Sequence, residues 1–202
     1  MTRWPAGRSS KGPGQSLVEY AVTVPVFLLI LLGMLEMGLA FSHHLTMEYA
    51  SREGARTGAA LGSGTLQFAC GEVDDQIIAA VQRVLTGSGS QVGQNLDRIS
   101  QIRIYRANSQ TGADTGTGET WVHGAGGSVD GVPLKFARAS GNWSACAISR
   151  KDLIGGADSI GVAIEYDYHF VTPLGSLMGA TGNPTIHMSD RTVMAINPKN
   201  GD

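Results

Sequence analysis

Charge is scarce in this chain, and what there is nearly cancels. Asp, Glu, Lys and Arg make up 16% of 202 residues, with a formal net charge of −2. An average soluble domain carries about 25% charged residues. The balance leaves no basic surface for nucleic acid, so no nucleic-acid partner is expected. Cysteine is almost absent: Cys70 and Cys146 are the two in the chain, and neither sits in a zinc or redox spacing. The five histidines include no pair at the spacing of a zinc-protease helix. His43 and His44 are adjacent, so on a helix they point about 100° apart and cannot share a metal. Both are expected at the surface. The glycines of residues 112–127 are not followed by Gly-Lys-Ser/Thr, so no phosphate loop is present. A Gly-x-Ser-x-Gly nucleophile elbow is missing too. No metal, cofactor or enzymatic activity is therefore expected.

What the chain does have is a long apolar run near its start. Residues 21–35 are free of charge, and Met37-Gly38-Leu39-Ala40-Phe41 continues the apolar character beyond Glu36. About 20 helical residues cross a hydrocarbon core roughly 30 Å thick, and residues 17–41 suffice. Pro25 lies inside the run, a position that membrane helices tolerate. Arg3, Arg8 and Lys11 precede it without an acid. The positive-inside bias then keeps the N-terminus in the cytoplasm and places everything after Phe41 outside. Glu19 and Glu36 lie near the two interfaces, where a carboxylate can snorkel to water; that is the expectation for Glu36.

The helix continues through residues 41–61, which lack proline. Ala50, Gly54 and Gly58 recur every four residues, as do Ser51, Ala55 and Ala59, so each set shares a helix face. Such small-residue stripes let backbones approach closely. They serve packing on the protein's own domain, packing on helices of other subunits, or both along different lengths. Cys70 and Cys146 fall in the exported part, where a bridge is expected, with two unrelated buried thiols as the alternative. Closing so long a loop would contribute roughly 4 kcal/mol.

The junction Gly14-Gln15-Ser16-Leu17-Val18-Glu19-Tyr20, followed by Pro25, Gly33, Glu36 and Gly38, resembles the type IV pilin superfamily. With Arg52-Glu53-Gly54-Ala55-Arg56-Thr57-Gly58-Ala59, it is similar to the TadE-like minor pilins, or pseudopilins, of tight-adherence (Flp) pili. The resemblance covers about 45 residues, plus a C-terminal strand ending Ala195-Ile196-Asn197-Pro198. It implies that a prepilin peptidase cuts between Gly14 and Gln15. It also implies that Glu19 pairs with the freed amine of a neighbouring subunit. Gln15 stands where other pilin classes carry Met or Phe, so N-methylation does not carry over. The implied partners are the major Flp-type pilin, other minor pilins, the pilus platform proteins, the prepilin peptidase and membrane lipid.

Beyond the stem, Val73, Ile77, Val81, Val84 and Leu85 trace one face of a helix, with Glu72, Asp74 and Asp75 at its start and Gly87 past its end. Ser88 to Leu96 reads as a linker. Ile102 and Ile104 alternate with polar residues as in a strand. Ile160, Val162, Ile164, Tyr166, Tyr168 and Phe170 do so over a longer stretch. Residues 186–196 make a partner strand, reached through the turn-rich residues 172–184. Residues 109–130 are too rich in Gly and Thr to assign. Glu165, Asp167 and His169 share the polar face of one strand, a candidate cluster that an ordinary solvated face also explains. Trp143, near Cys146, is expected in a small satellite core.

The expected fold class is therefore α+β. It has a leader (1–14), a transmembrane and stem helix (15–61) and an extracytoplasmic domain (62–202), in which an antiparallel sheet packs on a helix. The expected function is a structural one, in assembly of a pilus. Two alternatives are a membrane-tethered binding module with no filament role and an exported enzyme released by cleavage after Gly38-Leu39-Ala40. Glu36 and the missing catalytic constellation weigh against the enzyme.

Overall fold

The computed structural model describes residues 14–64, 69–146, 149–153, 156–177 and 184–198. One helix dominates it. α1 runs Gln15–Leu61, 47 residues with Pro25 inside and Gly62 as its C-cap, a length of about 70 Å. Its two halves live in different surroundings. From Leu17 to Leu35 most large apolar side chains are exposed, with Val24 and Leu32 half-buried, and from Glu36 onward buried positions recur at helical spacing: Glu36, Ala40, His43, Met47, Ala50, Gly54 and Gly58.

That recurring face packs on a single domain. α2 (Val73–Leu85) has Asp74 and Asp75 in its first turn and Arg83 in its last, the charge order that suits a helix dipole. Its Val73, Ile77, Val81 and Leu85 are fully buried. Among the described residues seven strands follow: β1 (Ile99–Ala107), β2 (Asp114–His123), β3 (Ser128–Val129), β4 (Val132–Pro133), β5 (Phe136–Gly141), β6 (Ser159–His169) and β7 (Thr185–Ala195). Five of them form an antiparallel sheet in the order β5-β2-β1-β6-β7; β3 and β4 make a separate small hairpin. The fold is α+β, a long apolar helix followed by an antiparallel-sheet domain.

Strand alternation decides which face is inside. On β6, Ile160, Val162, Ile164, Tyr166 and Tyr168 are fully buried, and on β1 Ile102 pairs Ile164 while Ile104 pairs Val162. The helices cover this face. The polar residues between them lie on the opposite face of the sheet, as period two requires.

The small-residue stripe sits where α1, α2 and β6 meet. A methyl group added at Gly54 would lie 2.5 Å from Val81 Cγ2 and 3.3 Å from Val162 Cγ1. At Gly58 it would lie 2.6 Å from Ile160 Cδ1 and 3.0 Å from Ile77 Cδ1. Ala50 is buried on the same face. The glycines thus let α1 approach its own domain. Gly54→Ala gains about 1 kcal/mol of helix propensity, but forcing a methyl into stiff β-branched neighbours costs about 1–3 kcal/mol. The expected net effect is a loss of about 1 kcal/mol in urea unfolding. At Gly38 nothing lies within 4 Å, and Gly38→Ala carries no such cost. If Gly54→Ala is as stable as the native protein, the close packing here is wrong.

Three expectations are corrected by the fold. Residues 109–130 contain β2, a 10-residue strand. Its glycine at 118 passes so close to β1 that a Cβ would meet Ile104 O at 2.5 Å and Tyr105 Cα at 2.8 Å, so what looked like loop composition is a packing requirement. Trp143 belongs to the main core cluster, not to a satellite. His43 is not a surface residue: it is 5% exposed, because α1 turns it inward onto β6.

Candidate functional site on the long helix

The apolar first half of α1 offers side chains on all its faces: Leu17, Val18, Val22, Phe27, Leu28, Ile30, Leu31 and Leu35 are each at least 44% exposed. An α-helix satisfies its own backbone, so such a segment is compatible with hydrocarbon. Residues 17–35 rise roughly 28 Å, close to the thickness of a bilayer core. The helix is long and apolar enough to cross a membrane.

At its start, Gly14 is the N-cap and Gln15 the first helical residue. Glu19 is exposed on the next turn, with Gln15 Nε2 3.4 Å from its Oε1. Thr23 Oγ1 donates to the Glu19 backbone carbonyl at 2.7 Å. Arg3, Arg8 and Lys11 lie outside the described residues.

The end of the exposed stretch is marked by Glu36. Rather than snorkelling, it is 2% exposed and accepts three hydrogen bonds from the domain. Tyr168 Oη donates at 2.5 Å, Val171 N at 2.9 Å and Thr172 N at 2.8 Å. Burial, and after it the adjoining carboxylate, hold the Tyr168 hydroxyl well above the ordinary phenol range, so it remains a donor. Nothing in the local sequence signals this clamp. The donors lie more than 130 residues away, and two of them are backbone amides.

Two turns on, His43 stands edge-on to Tyr166 and Tyr168, with ring centroids 5.6 and 5.2 Å away. Its Nδ1 is buried without a partner among the described residues. Burial, with a smaller contribution from Arg98, pushes the imidazole below its ordinary value, so the fold holds His43 neutral. A depressed histidine adds stability that is complete above the unfolded value of about 6.5 and is lost as pH falls through the folded value. Urea unfolding is expected to show stability declining from pH 7 to pH 5, and His43→Phe to flatten that slope. An unchanged slope in the variant would mean that His43 does not carry it.

The remaining candidates are placed plainly. Cys70 and Cys146 are bonded to each other, tying the start of α2 to the segment after β5. Of the polar cluster on β6, Glu165 and Asp167 face His187 of β7, with His187 Nδ1 2.9 Å from Asp167 Oδ1. The Asp167 bond raises His187 from its ordinary value. His169 makes no part of this exposed arrangement, which reads as a solvated sheet face. Among the described residues no group of His, Cys, Asp and Glu is arranged to hold a metal.

Compared with known proteins, the chain gives no significant match to a curated protein or to a solved structure. A family match does emerge, and it falls entirely on α1 and its N-cap: residues 14–56 are similar to the family described as TadE-like protein.

Proposed function

We propose that this chain is a minor-pilin-type, pseudopilin-like component in the assembly of a tight-adherence (Tad, or Flp) pilus. The observation that carries the reading is where the TadE-like match lies. It covers the helix half whose apolar side chains have no partner in the domain, and the clamped half that holds that domain. An apolar helix of that length favours burial in lipid or in a bundle of like helices over exposure to water. In this reading the chain is a structural element, not an enzyme. α1 crosses the cytoplasmic membrane with the N-terminus inside, and the sheet domain stands outside.

Cleavage by a prepilin peptidase between Gly14 and Gln15 would free an α-amino group, and Glu19 of one subunit would pair with that amine on its neighbour. In an apolar bundle such a pair favours one stagger over others, because an unpaired carboxylate there is costly. The major Flp-type pilin, other minor pilins and the platform proteins are the partners that this arrangement calls for.

The test is the intact mass of the protein recovered from membranes and from sheared surface material. A chain starting at Gln15 is the expected result. A chain retaining Met1 in both fractions would remove the amine and favour a membrane-tethered binding module. Glu19→Ala is expected to deplete the sheared fraction strongly while membrane levels stay unchanged. Undiminished surface assembly in that variant would sink the pairing role.

A further inference from the structure

The clamp at Glu36 fixes more than the helix. Because Val171 N and Thr172 N both bond its carboxylate, the residues just after β6 are held level with the point where the exposed apolar stretch of α1 ends. Three exposed side chains there are apolar, beside the uncharged Ser176 and Thr185. Val171 is 67% exposed, Ile186 at the start of β7 is 38% exposed, and Pro173 is exposed between them. No Asp, Glu, Lys or Arg occurs between Asp167 and Asp190. The charged pairs of the sheet begin one register step above, at Asp167 opposite His187.

The backbone of this lip is also well satisfied. The amides of Val171 and Thr172 go to Glu36, Phe170 N donates to Pro184 O at 3.3 Å, and Leu174 N donates to Thr172 Oγ1 at 3.4 Å. Exposed apolar side chains over an internally bonded, charge-free backbone are what the boundary between headgroups and acyl chains demands. The opposite end of the domain differs. Gln110 is exposed in the β1–β2 turn, beside Ala107, which pairs with Ser159, itself opposite Ala195. Asn197 N bonds Ala59 O, so that end lies near residue 59 of α1, some 23 residues and roughly 35 Å along the helix from Glu36.

The geometry points to the lip formed by Val171, Pro173 and Ile186 as a second membrane contact, resting in the outer lipid interface beside α1. This rests on the reading that α1 spans the bilayer. The domain is then seated on the membrane at two places, the helix and the lip, and cannot swing about the helix end.

The experiment uses the full chain in phosphatidylcholine–phosphatidylglycerol vesicles. An environment-sensitive fluorophore is attached to Val171→Cys, Ile186→Cys, Gln110→Cys or Leu28→Cys with the native disulfide intact. Quenching by a spin-labelled lipid is compared with quenching by aqueous iodide. The expected result is lipid quenching at 171 and 186 several-fold stronger than at 110, and strong at 28. Strong quenching at 28 with 171 and 186 no different from 110 overturns the lip and leaves the spanning helix in place. Absence of lipid quenching at 28 overturns both. Protection of 171 and 186 from both quenchers overturns the lipid assignment in favour of a covering protein surface.

Discussion

Replacing Cys70 and Cys146 together by alanine is expected to cost about 4 kcal/mol. The bridge closes a sequence separation of 76 residues, and the chain-entropy relation gives that magnitude for a loop of this length. For a chain of this size it corresponds to a fall of roughly 8–16 °C in Tm. Local structure makes the loss felt unevenly. The segment after β5 is also tied down without covalent bonds: Trp143 and Ala145 belong to the core, and Asp152 accepts from Ser63 N and Oγ at 3.0 and 2.6 Å. Trp143 is buried and donates its Nε1 to Ser149 O at 3.1 Å; the Arg150 guanidinium lies 4.3 Å from its ring centroid and bonds Asp74 at 2.8 Å. Arg150 is fully buried, with Nε and Nη1 lacking partners among the described residues, so its ion pair offsets a large desolvation cost and adds little by itself. The covalent tie joins Cys70, next to the start of α2, directly to this segment. Hydrogen exchange after the double replacement should rise first at residues 143–153 and at the start of α2. Uniform exchange, or a Tm unchanged within 2 °C, would show the bridge to be dispensable.

Glu36→Ala is the second large effect, and it should free the loop after β6 from the helix while the packing of α1 on the domain stays in place. Hydrogen bonds to a charged group are worth about 1.5–3 kcal/mol each. Three are lost together, but water can reach the freed amides once the loop lifts, so the sum is not additive. A net loss of about 3 kcal/mol is expected. In exchange terms that is about a hundredfold faster opening at Val171 and Thr172, with the amides of β1 and the central turns of α2 unaffected. Glu36→Gln retains an accepting carbonyl and should lose about half as much. If Val171 and Thr172 exchange at the native rate in Glu36→Ala, the clamp is not what holds the loop.

Much of this architecture was legible before any coordinates. Period-two alternation from Ile160 to Tyr168 specifies a strand buried on one face. The apolar spacing from Val73 to Leu85, with acids at its start, specifies α2. An uncharged run of the length of residues 21–35 specifies a helix suited to lipid. These are local signals: each follows from the geometry of a single helix or strand and from which of its faces is apolar. The TadE-like character of residues 14–56 was likewise readable from the junction at Gly14 and the segment around Gly54.

What only the tertiary structure decided depends on partners far away in the chain. β2 was hidden because Gly118 serves a close approach to β1, and composition alone reads glycine as loop. His43 was expected at the surface because two adjacent histidines on a helix cannot share a metal, whereas its surroundings are two tyrosines of β6. Glu36 had every mark of a snorkelling carboxylate until β6 supplied a hydroxyl and the loop after it two amides. In each case the residue's environment is set by long-range packing. A sequence determines which face of an element is apolar, but the fold determines what meets that face, and only the meeting fixes whether a polar group there is solvated or clamped.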